Sequence, residues 1–310
     1  MVRPDVLVVG DGPAGCGAAI AAAAAGCDVT MMGRARARAV PECASQAALR
    51  LLDTLAPGLA SQPRIWFDDE VHAQPGRAVD RAQFDIGLRA EALRAGIDYR
   101  QIPAATLRPR IEDGQVAGVA GGGHDMPARI VIDATGVNGW LRRSLGLAEC
   151  IDSRPWWLQR GFAVIDAEQA GTHFDIAAHG WLWRRTTVRG CIWTALGDTR
   201  ETAVAWPEGM RAVGPVWREC RRWRHLREPA GAGYFVCGDA AGYLDPASGD
   251  GLRFALESGA RAGALAAGVV RWPQRGSLSA ALYADWALQT YLAGRAALAG
   301  VYARANLAVL

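Results

Sequence analysis

The chain has 310 residues, of which 51% are hydrophobic, so it can bury one large core or two smaller ones. Its formal net charge is +3, and all 34 basic residues are arginines because the sequence contains no lysine. This near-neutral balance argues against a surface that follows nucleic-acid phosphates. No apolar run approaches the roughly 20 residues that span a bilayer, and no secretory signal precedes the first strand. The sequence therefore predicts a cytoplasmic protein with no membrane span.

The cysteines and the arginine-rich segment 221–224 argue against three further classes of protein: disulfide-stabilised, metal-binding and nucleic-acid-binding. Seven cysteines are scattered without CxxC spacing, which predicts reduced thiols and neither a disulfide framework nor a metal site. Residues 221–224 read Arg-Arg-Trp-Arg. We interpret them as an exposed turn between domains, so no nucleic-acid partner is expected.

The N-terminal segment carries a dinucleotide-binding pattern. A short apolar strand runs into Gly10-Asp11-Gly12-Pro13-Ala14-Gly15, and an alanine-rich helix and a second short strand follow. Gly10 permits a tight turn, Gly12 lets the backbone approach a pyrophosphate, and Gly15 allows close helix–strand packing. The start of a helix also supplies amide donors and partial positive charge. The pattern therefore predicts that a dinucleotide binds at this turn.

The end of the second strand lacks an expected residue. An acid normally follows this strand and takes the ribose hydroxyls, but this chain has Gly33-Arg34. One interpretation is NADP, because an arginine can hold a 2′-phosphate. The other is FAD, with Arg34 packed on the adenine or paired with phosphate.

Periodicity predicts further elements along the chain. Helices are expected over residues 45–55 and around 84–93, and a strand over 65–67. A hairpin is expected over 106–120 and a buried strand over 129–133.

Tryptophan-rich, alternating patterns over residues 151–228 predict a mostly antiparallel sheet. The fold class is therefore α/β, a discontinuous Rossmann-like domain with an inserted antiparallel substrate domain and C-terminal helices. The predicted units are a nucleotide domain over 1–150 with a substrate-domain excursion near 60–78, the inserted sheet over 151–228, the rest of the nucleotide domain over 229–275, and helices over 276–310.

The segment after Tyr234 indicates which dinucleotide binds. A strand ends in Gly238-Asp239, and a glycine-flanked helix start with Gly249 and Gly251 follows within about twelve residues. Such an aspartate can bind ribityl hydroxyls, and helix-terminal amides can stabilise charge on a reduced flavin. NADP domains need no such second segment, so we predict FAD.

These segments resemble a known superfamily. Residues 238–246, 133–136 and 79–85 are similar to the single-component FAD monooxygenases and halogenases of para-hydroxybenzoate hydroxylase fold, which include geranylgeranyl reductases. Within this superfamily, three segments resemble most closely the flavoprotein maturases of lysine and glycine oxidases and of quinohemoprotein amine dehydrogenase: Trp217-Arg218, residues 234–241 and residues 245–248. Those enzymes hydroxylate a tryptophan in a partner protein or peptide, and similar flavoproteins act in natural-product biosynthesis.

The resemblance and the motifs imply a set of cofactor-binding residues. They are Gly10, Gly12, Pro13, Ala14, Gly15, Arg34, Glu42, Arg81, Gly136, Asp239, Pro246, Gly249 and Gly251. The alternative for Arg81 is a surface salt bridge with Asp80 or Asp85.

Three side chains are weak catalytic candidates. Cys43 falls where reductases of the superfamily carry a cysteine, and is either a residue facing substrate or a buried inert thiol. His179 lies before a tryptophan pair and is either near substrate or hydrogen-bonded structure. Asp250 stands where maturases have a histidine, as a base or, as we expect, a helix cap.

The resemblance implies an FAD-dependent monooxygenase with NAD(P)H as electron donor. It would hydroxylate an indole or phenol through a flavin C4a-hydroperoxide, the substrate being a small aromatic molecule or a peptide-borne tryptophan. Halogenases of the superfamily use a lysine, which this chain lacks, so halogenation is not expected. The alternatives are a geranylgeranyl-reductase-like reductase of C=C bonds and a degenerate, non-catalytic flavoprotein. The oligomeric state stays open.

Overall fold

The strand before the glycine turn lies inside a six-stranded sheet. The computed structural model describes residues 3–35, 40–67, 76–166, 171–187, 190–200 and 206–307. In spatial order the strands are β17 (Ala230–Gly231), β18 (Tyr234–Val236), β9 (Ile130–Asp133), β1 (Val6–Val9), β2 (Val29–Met32) and β5 (Asp98–Arg100). Neighbours pair in parallel except β17, which is antiparallel to β18. β1 and β9 are buried along their whole length, as continuous apolar runs require.

Helices cover this sheet and extend beyond it. They are α1 (Pro13–Ala24), α2 (Gln46–Leu55), α3 (Arg81–Arg94), α4 (Trp140–Leu145), α5 (Gly251–Arg271) and α6 (Gly276–Arg304). α1 and α5 pack with their backbones in contact. A Cβ added at Gly17 would lie 3.1 Å from the carbonyl oxygen of Leu256, and one at Gly259 or Gly263 would overlap the α1 backbone. Small residues therefore set the separation of these two helices.

A second, antiparallel sheet is inserted between the two parts of the Rossmann-like domain. In spatial order its strands are β12 (Thr172–Ala177), β13 (Gly180–Thr187), β14 (Gly190–Gly197), β11 (Trp156–Val164) and β15 (Arg211–Arg221). The predicted fold class is therefore confirmed.

Short strands connect these layers. They are β3 (Pro41–Ala44) paired with β4 (Arg77–Asp80), β6 (Arg108–Glu112) with β7 (Gln115–Gly121) and β8 (His124–Pro127), and β10 (Glu149–Ile151) with β16 (Arg224–Leu226) and β19 (Gly242–Tyr243). The hairpin predicted over 106–120 corresponds to β6 and β7.

Tryptophans contribute heavily to the core of the inserted domain. Trp156, Trp181, Trp193 and Trp223 are each 1% exposed. Three of them share a cluster with Tyr302 of α6, so the last helix packs against the antiparallel sheet.

One predicted strand is wrong. Residues 63–65 form a 3-10 turn, and Trp66 makes only an isolated bridge to Val79, because Pro63 favours a turn. Residues 68–75 of the predicted excursion near 60–78 lie outside the described residues. Within the described ranges, no helix has both the length and the apolar character that crossing a membrane requires.

Candidate functional site

The glycine turn between β1 and α1 leaves its backbone open at one position. A Cβ at Gly10 would overlap the carbonyl oxygen of Ala134, and one at Gly15 would overlap that of Gly10. A Cβ at Gly12 would meet nothing within 4 Å. Gly12 is also the N-cap residue of α1, where no side chain caps the helix. The turn therefore offers an exposed backbone surface at a helix N-terminus, which suits an anionic pyrophosphate.

The distal segment lies against this turn. A Cβ at Gly238 would be 2.8 Å from the Cβ of Ala14, and Cys237 Sγ lies 4.0 Å from the Ala14 carbonyl oxygen. β18 pairs with β9, and the turn over 136–138 contacts the turn over 238–240. Two segments more than two hundred residues apart in sequence thus form one cleft.

The loop after β19 forms another edge of this cleft. Pro246–Ser248 is a 3-10 turn, and Gly249 follows at φ +66 with open space where a Cβ would be. Gly251 begins α5, and a Cβ placed there would lie 3.8 Å from Glu42 Oε1. The start of α5 and the Glu42 carboxylate therefore face the same space.

A buried charged cluster surrounds Arg81 at the start of α3. Its guanidinium bonds Glu42 and also Asp85, with Nε donating to Asp85 Oδ1 over 3.1 Å. The salt bridge with Asp85 that was the alternative for Arg81 is therefore present, although the Arg81 side chain is only 22% exposed and the pair is partly buried. Burial opposes ionisation of Glu42, but Arg81 and Arg160 outweigh it and lower the pKa of Glu42. Glu42 is therefore a carboxylate anion at neutral pH.

Asp239 lies beside this cluster with its carboxylate free of protein donors. No hydrogen bond from the described residues reaches its side-chain oxygens, while its backbone oxygen accepts from Arg224 at 2.5 Å. Burial and the nearby Glu42 charge raise the pKa of Asp239 to about 6, against the opposing influence of Arg224 and Arg81. A ligand hydroxyl could donate to this carboxylate.

One face of the antiparallel sheet combines aromatic and charged side chains. Arg160 on β11 pairs with Trp217 on β15, and Phe162 packs edge-to-face on Trp217 with centroids 6.3 Å apart. Glu219 follows Trp217 on the same face, 3.9 Å from Arg160. We call these four residues the mixed face. β11, which carries Arg160, contacts β3, which carries Glu42, and Arg160 helps to lower the pKa of Glu42. The mixed face therefore borders the charged cluster.

Tyr243 adds a polar group at this border. Its hydroxyl is buried, and no partner for it is present among the residues that the structure describes. Burial raises its pKa, whereas the nearby Arg160 lowers it. The phenol is therefore a donor available to a ligand.

Glu42 and Cys43 are adjacent on β3 and face different surroundings. Glu42 bonds Arg81, whereas Cys43 is half-buried and packs on the cluster of Phe67, Ala78 and Ile192. This separation follows from the alternation of side chains along a strand. Cys43 thus lies in apolar surroundings. It is next to the mixed face, because Phe162 of that face packs on the same apolar cluster as Cys43.

Two catalytic candidates make other contacts. His179 lies in the turn between β12 and β13 with its side chain 71% exposed, and its Nδ1 is 3.1 Å from Asp198 Oδ2. It contacts none of the cleft residues above. Asp250 occupies the N-cap position of α5 but caps no amide, because its carboxylate accepts from Arg253 at 2.9 Å. The expected capping role of Asp250 is therefore wrong.

Sequence reasoning missed two aspartates that shape the cleft. Asp245 is 1% exposed and accepts hydrogen bonds from Trp223, Tyr302 and the Ala247 amide. Asp11, within the glycine turn, accepts from three donors, which belong to α3, to β5 and to the segment after β2. The sequence signal that could have identified Asp11 is its place as a charged residue between Gly10 and Gly12. Arg34 is exposed beyond β2, and its predicted cofactor contact stays a prediction.

Comparison with known proteins shows that the chain has a recognised fold. The tryptophan halogenase family model matches residues 68–205. The flavin-dependent brominase Bmp2 superposes with a TM-score of 0.77 at 20% identity, covering 92% of this chain and 84% of Bmp2. The peptidyl tryptophan dihydroxylase QhpG superposes with a TM-score of 0.70 at 23% identity, covering 94% of this chain and 73% of QhpG. At these identities the structures establish the fold.

Sequence relatives are named as reductases. Digeranylgeranylglycerophospholipid reductase 1 of Methanopyrus kandleri is 28% identical, covering 84% of this chain and 80% of the relative. The family model, the structures and this relative all belong to flavin-dependent enzymes, which supports an FAD-dependent oxidoreductase. QhpG and Bmp2 share the fold alike, so the closer resemblance to maturases stays a prediction.

Proposed function

We propose that the protein is an FAD-dependent monooxygenase that hydroxylates an indole or phenol ring. The observation that carries this proposal is the mixed face, which sets Phe162 and Trp217 beside Arg160 and Glu219 at the border of the cleft. Aromatic side chains suit a planar ring, and the charged pair suits polar groups attached to it. A tryptophan within a peptide or a carrier-bound aromatic acid has both features.

The residues of the cleft fit FAD. The open side of Gly12 leaves room for a pyrophosphate, and the free Asp239 carboxylate suits ribityl hydroxyls. Gly249 leaves further open space, and the buried Tyr243 hydroxyl offers a donor without a protein partner among the described residues. The residues proposed to hold FAD are Gly10, Gly12, Pro13, Ala14, Gly15, Arg34, Glu42, Arg81, Gly136, Asp239, Pro246, Gly249 and Gly251.

FAD, when bound, supplies the electron transfer and oxygen activation of the reaction. The N-terminus of α5 would stabilise negative charge at the flavin edge that it faces. The Arg81 guanidinium keeps Glu42 ionised and in place, so the negative charge on this side of the cleft is fixed before a ligand binds. Preformed charges of this kind need no rearrangement during reaction.

The mixed face would hold the substrate ring and exclude water. Edge-to-face packing of Phe67 on Phe162, with centroids 5.4 Å apart, and of Phe162 on Trp217 makes an ordered aromatic wall. Positioning alone can supply much of the rate enhancement when the cofactor carries the reactive group. We propose no dedicated acid–base residue, and NAD(P)H as the electron donor.

Halogenation fits this chain less well, although the tryptophan halogenase model matches part of it. Halogenases of this superfamily use a lysine to deliver the halogen, and this sequence contains none. Oxygen transfer to the ring requires no such residue.

A direct test combines cofactor binding with isotope incorporation. The purified protein should bind FAD with a flavin absorption spectrum and consume oxygen with NAD(P)H when an indole-bearing or phenol-bearing peptide is present. Mass spectrometry should detect one 18O atom in the product after reaction under 18O2. A protein that binds no FAD, or one whose product carries no label, would refute the oxygenase proposal.

A second candidate function is reduction of isoprenoid double bonds. It is favoured by the reductase relative that covers 84% of this chain and by the apolar surroundings of Cys43. Against it, a long apolar substrate beside Arg160 and Glu219 would leave this charged pair poorly solvated. Turnover of a prenylated lipid under anaerobic conditions with a chemical reductant would support the reductase, since hydroxylation requires oxygen.

A further inference from the structure

The end of β2 carries no acid for the adenosine ribose of a dinucleotide. β2 ends at Met32, and Gly33 and Arg34 follow it. A carboxylate at this point normally binds the ribose hydroxyls. Arg34 is exposed and cannot accept a hydrogen bond from a hydroxyl.

The side chain of Asp11 occupies the space beside Gly33. A Cβ added at Gly33 would overlap the Cγ of Asp11. The carboxylate of Asp11 therefore lies where the side chain of an acid at position 33 would begin. Residue 33 has no side chain, and the acid at residue 11 fills the space that such a side chain would need.

Three donors hold the Asp11 carboxylate in this place. Its Oδ2 accepts from the Ala35 amide at 2.8 Å, from the Tyr99 hydroxyl at 2.8 Å and from Arg89 at 3.1 Å. Arg89 is 8% exposed and provides a buried counter-ion from α3. Ala35 adopts φ +50, a left-handed conformation that its bond to Asp11 helps to stabilise.

The second carboxylate oxygen stays available. No hydrogen bond from the described residues reaches Asp11 Oδ1, and the side chain is 16% exposed. Asp11 also lies between Gly10 and Gly12, so its carboxylate adjoins the proposed pyrophosphate surface. An ordered acceptor next to this surface, at the end of β2, matches the requirement of a ribose.

We infer that Asp11 is the residue that binds the adenosine ribose hydroxyls, in place of an acid at the end of β2. This inference rests on the proposed function, because it assumes that FAD occupies the cleft. A carboxylate here would repel a 2′-phosphate, so the site selects a dinucleotide with free ribose hydroxyls. The interpretation of Gly33-Arg34 as an NADP site is therefore disfavoured.

The test measures dissociation constants for FAD and for an FAD analogue that lacks both adenosine ribose hydroxyls. Asp11→Asn keeps the size of the side chain and removes its charge. We expect FAD to bind at least tenfold more weakly to D11N, whereas the analogue binds wild type and D11N within threefold of each other. Asp113→Asn is the matched control, since it makes the same chemical change in the exposed turn between β6 and β7; its FAD affinity should change less than threefold.

A double variant that moves the acid from residue 11 to residue 33 provides a second test in case D11N fails to fold. Gly33→Glu alone should fail to bind FAD, because its Cβ would overlap Asp11. Combined with Asp11→Gly, the same substitution should restore FAD affinity to within threefold of wild type.

Three results would contradict the inference. They are wild-type affinity of D11N for FAD, an equal loss for FAD and the analogue, or failure of the double variant while wild type binds FAD. Absence of FAD binding by wild type would instead overturn the proposed function, and the inference with it.

Discussion

The Tyr302 hydroxyl donates a hydrogen bond of 2.7 Å to Asp245 Oδ1, which ties α6 to the loop at the edge of the cleft. The same hydroxyl accepts from Trp181 Nε1 at 2.7 Å, and Trp223 Nε1 donates to Asp245 Oδ2 at 2.7 Å. Burial raises the pKa of Asp245, although the hydrogen bonds from Tyr302, the Ala247 amide and Trp223 oppose this rise. Four buried side chains thus hold the antiparallel sheet, the last helix and the cleft loop in one arrangement.

Tyr302→Phe should destabilise the protein and weaken FAD binding. The change removes the donor to Asp245 and leaves the Trp181 indole without an acceptor, at a cost of about 2–4 kcal/mol in unfolding free energy. Because Asp245 also caps the 246–248 turn, we expect FAD affinity to fall at least threefold. Denaturant unfolding and flavin fluorescence titration measure the two effects.

Tyr291→Phe is the matched control for this prediction. Tyr291 lies on the same helix and donates to a carboxylate, Asp152, at 2.9 Å, and this bond does not involve the loop that holds Asp245. It should lower stability without changing FAD affinity. Equal effects of Y291F and Y302F on FAD affinity would contradict the role assigned to Asp245.

Gly12→Ala should separate cofactor binding from folding. The backbone of Gly12, at φ -82 and ψ -173, is accessible to alanine, and the added Cβ meets no protein atom within 4 Å. Apo stability should fall by no more than about 1 kcal/mol, the cost of alanine at an N-cap. The methyl group would project into the proposed pyrophosphate site, so FAD affinity should fall at least about tenfold, or about 1.4 kcal/mol.

The control for G12A is Gly268→Ala in α5, where an added Cβ also meets nothing within 4 Å. This variant should gain about 0.5–1 kcal/mol in stability and bind FAD normally. Unaltered FAD binding by G12A would show that the turn does not hold the cofactor.

Asp239→Asn should change stability in a pH-dependent way. The folded-state pKa of Asp239, about 6, exceeds the ordinary value of 3.8, so ionisation of this carboxylate destabilises the apo protein above pH 6. Removing the charge should therefore stabilise the apo protein at pH 8 by up to about 2 kcal/mol, after allowance for remaining solvent contact. This gain should shrink as the pH falls through 6 towards 4.

FAD binding should respond to D239N in the opposite direction. The variant loses the charged acceptor proposed for the ribityl hydroxyls, so it should bind FAD more weakly at pH 8 while its apo form is more stable. Thermal unfolding from pH 4 to 8, with and without FAD, measures both effects. A stability difference that does not vary with pH would contradict the raised pKa.

Cys43→Ser should discriminate between the two candidate reactions. Cys43 packs on Phe67 and Ile192, on the side of β3 away from the Glu42–Arg81 pair, so hydroxylation should continue within about threefold of wild type. A reductase that used this thiol as a proton donor should instead lose about a hundredfold or more. The measurement is the rate of product formation by both proteins at equal FAD occupancy.

Local motifs made part of this site predictable. The proposed roles of Gly10 and Gly12 follow from the short strand–turn–helix pattern around them, and that of Asp239 follows from the Gly-Asp pair just after β18. The two glycines are proposed to act through the backbone of their turn, and Asp239 through a carboxylate that the short motif around it already contains. Neighbouring sequence is then sufficient to propose these roles.

Non-local contacts could not be predicted in this way. Asp245 bonds Tyr302, which lies 57 positions away, and Asp11 bonds Arg89, 78 positions away. No periodicity links such pairs. Asp250 shows another reason why sequence-based prediction fails. It occupies the N-cap position that its residue type favours, but its carboxylate accepts a hydrogen bond from Arg253, three residues later, and not from a helix amide.

The contact between α1 and α5 has a consequence for cofactor binding. Gly259 and Gly263 set the two backbones so close that no side chain separates them, and sliding one helix along the other would press side-chain carbons against main-chain carbonyls. The N-termini of both helices border the proposed cofactor site. A cofactor that spans these two helix ends therefore meets a spacing that the small residues have already set.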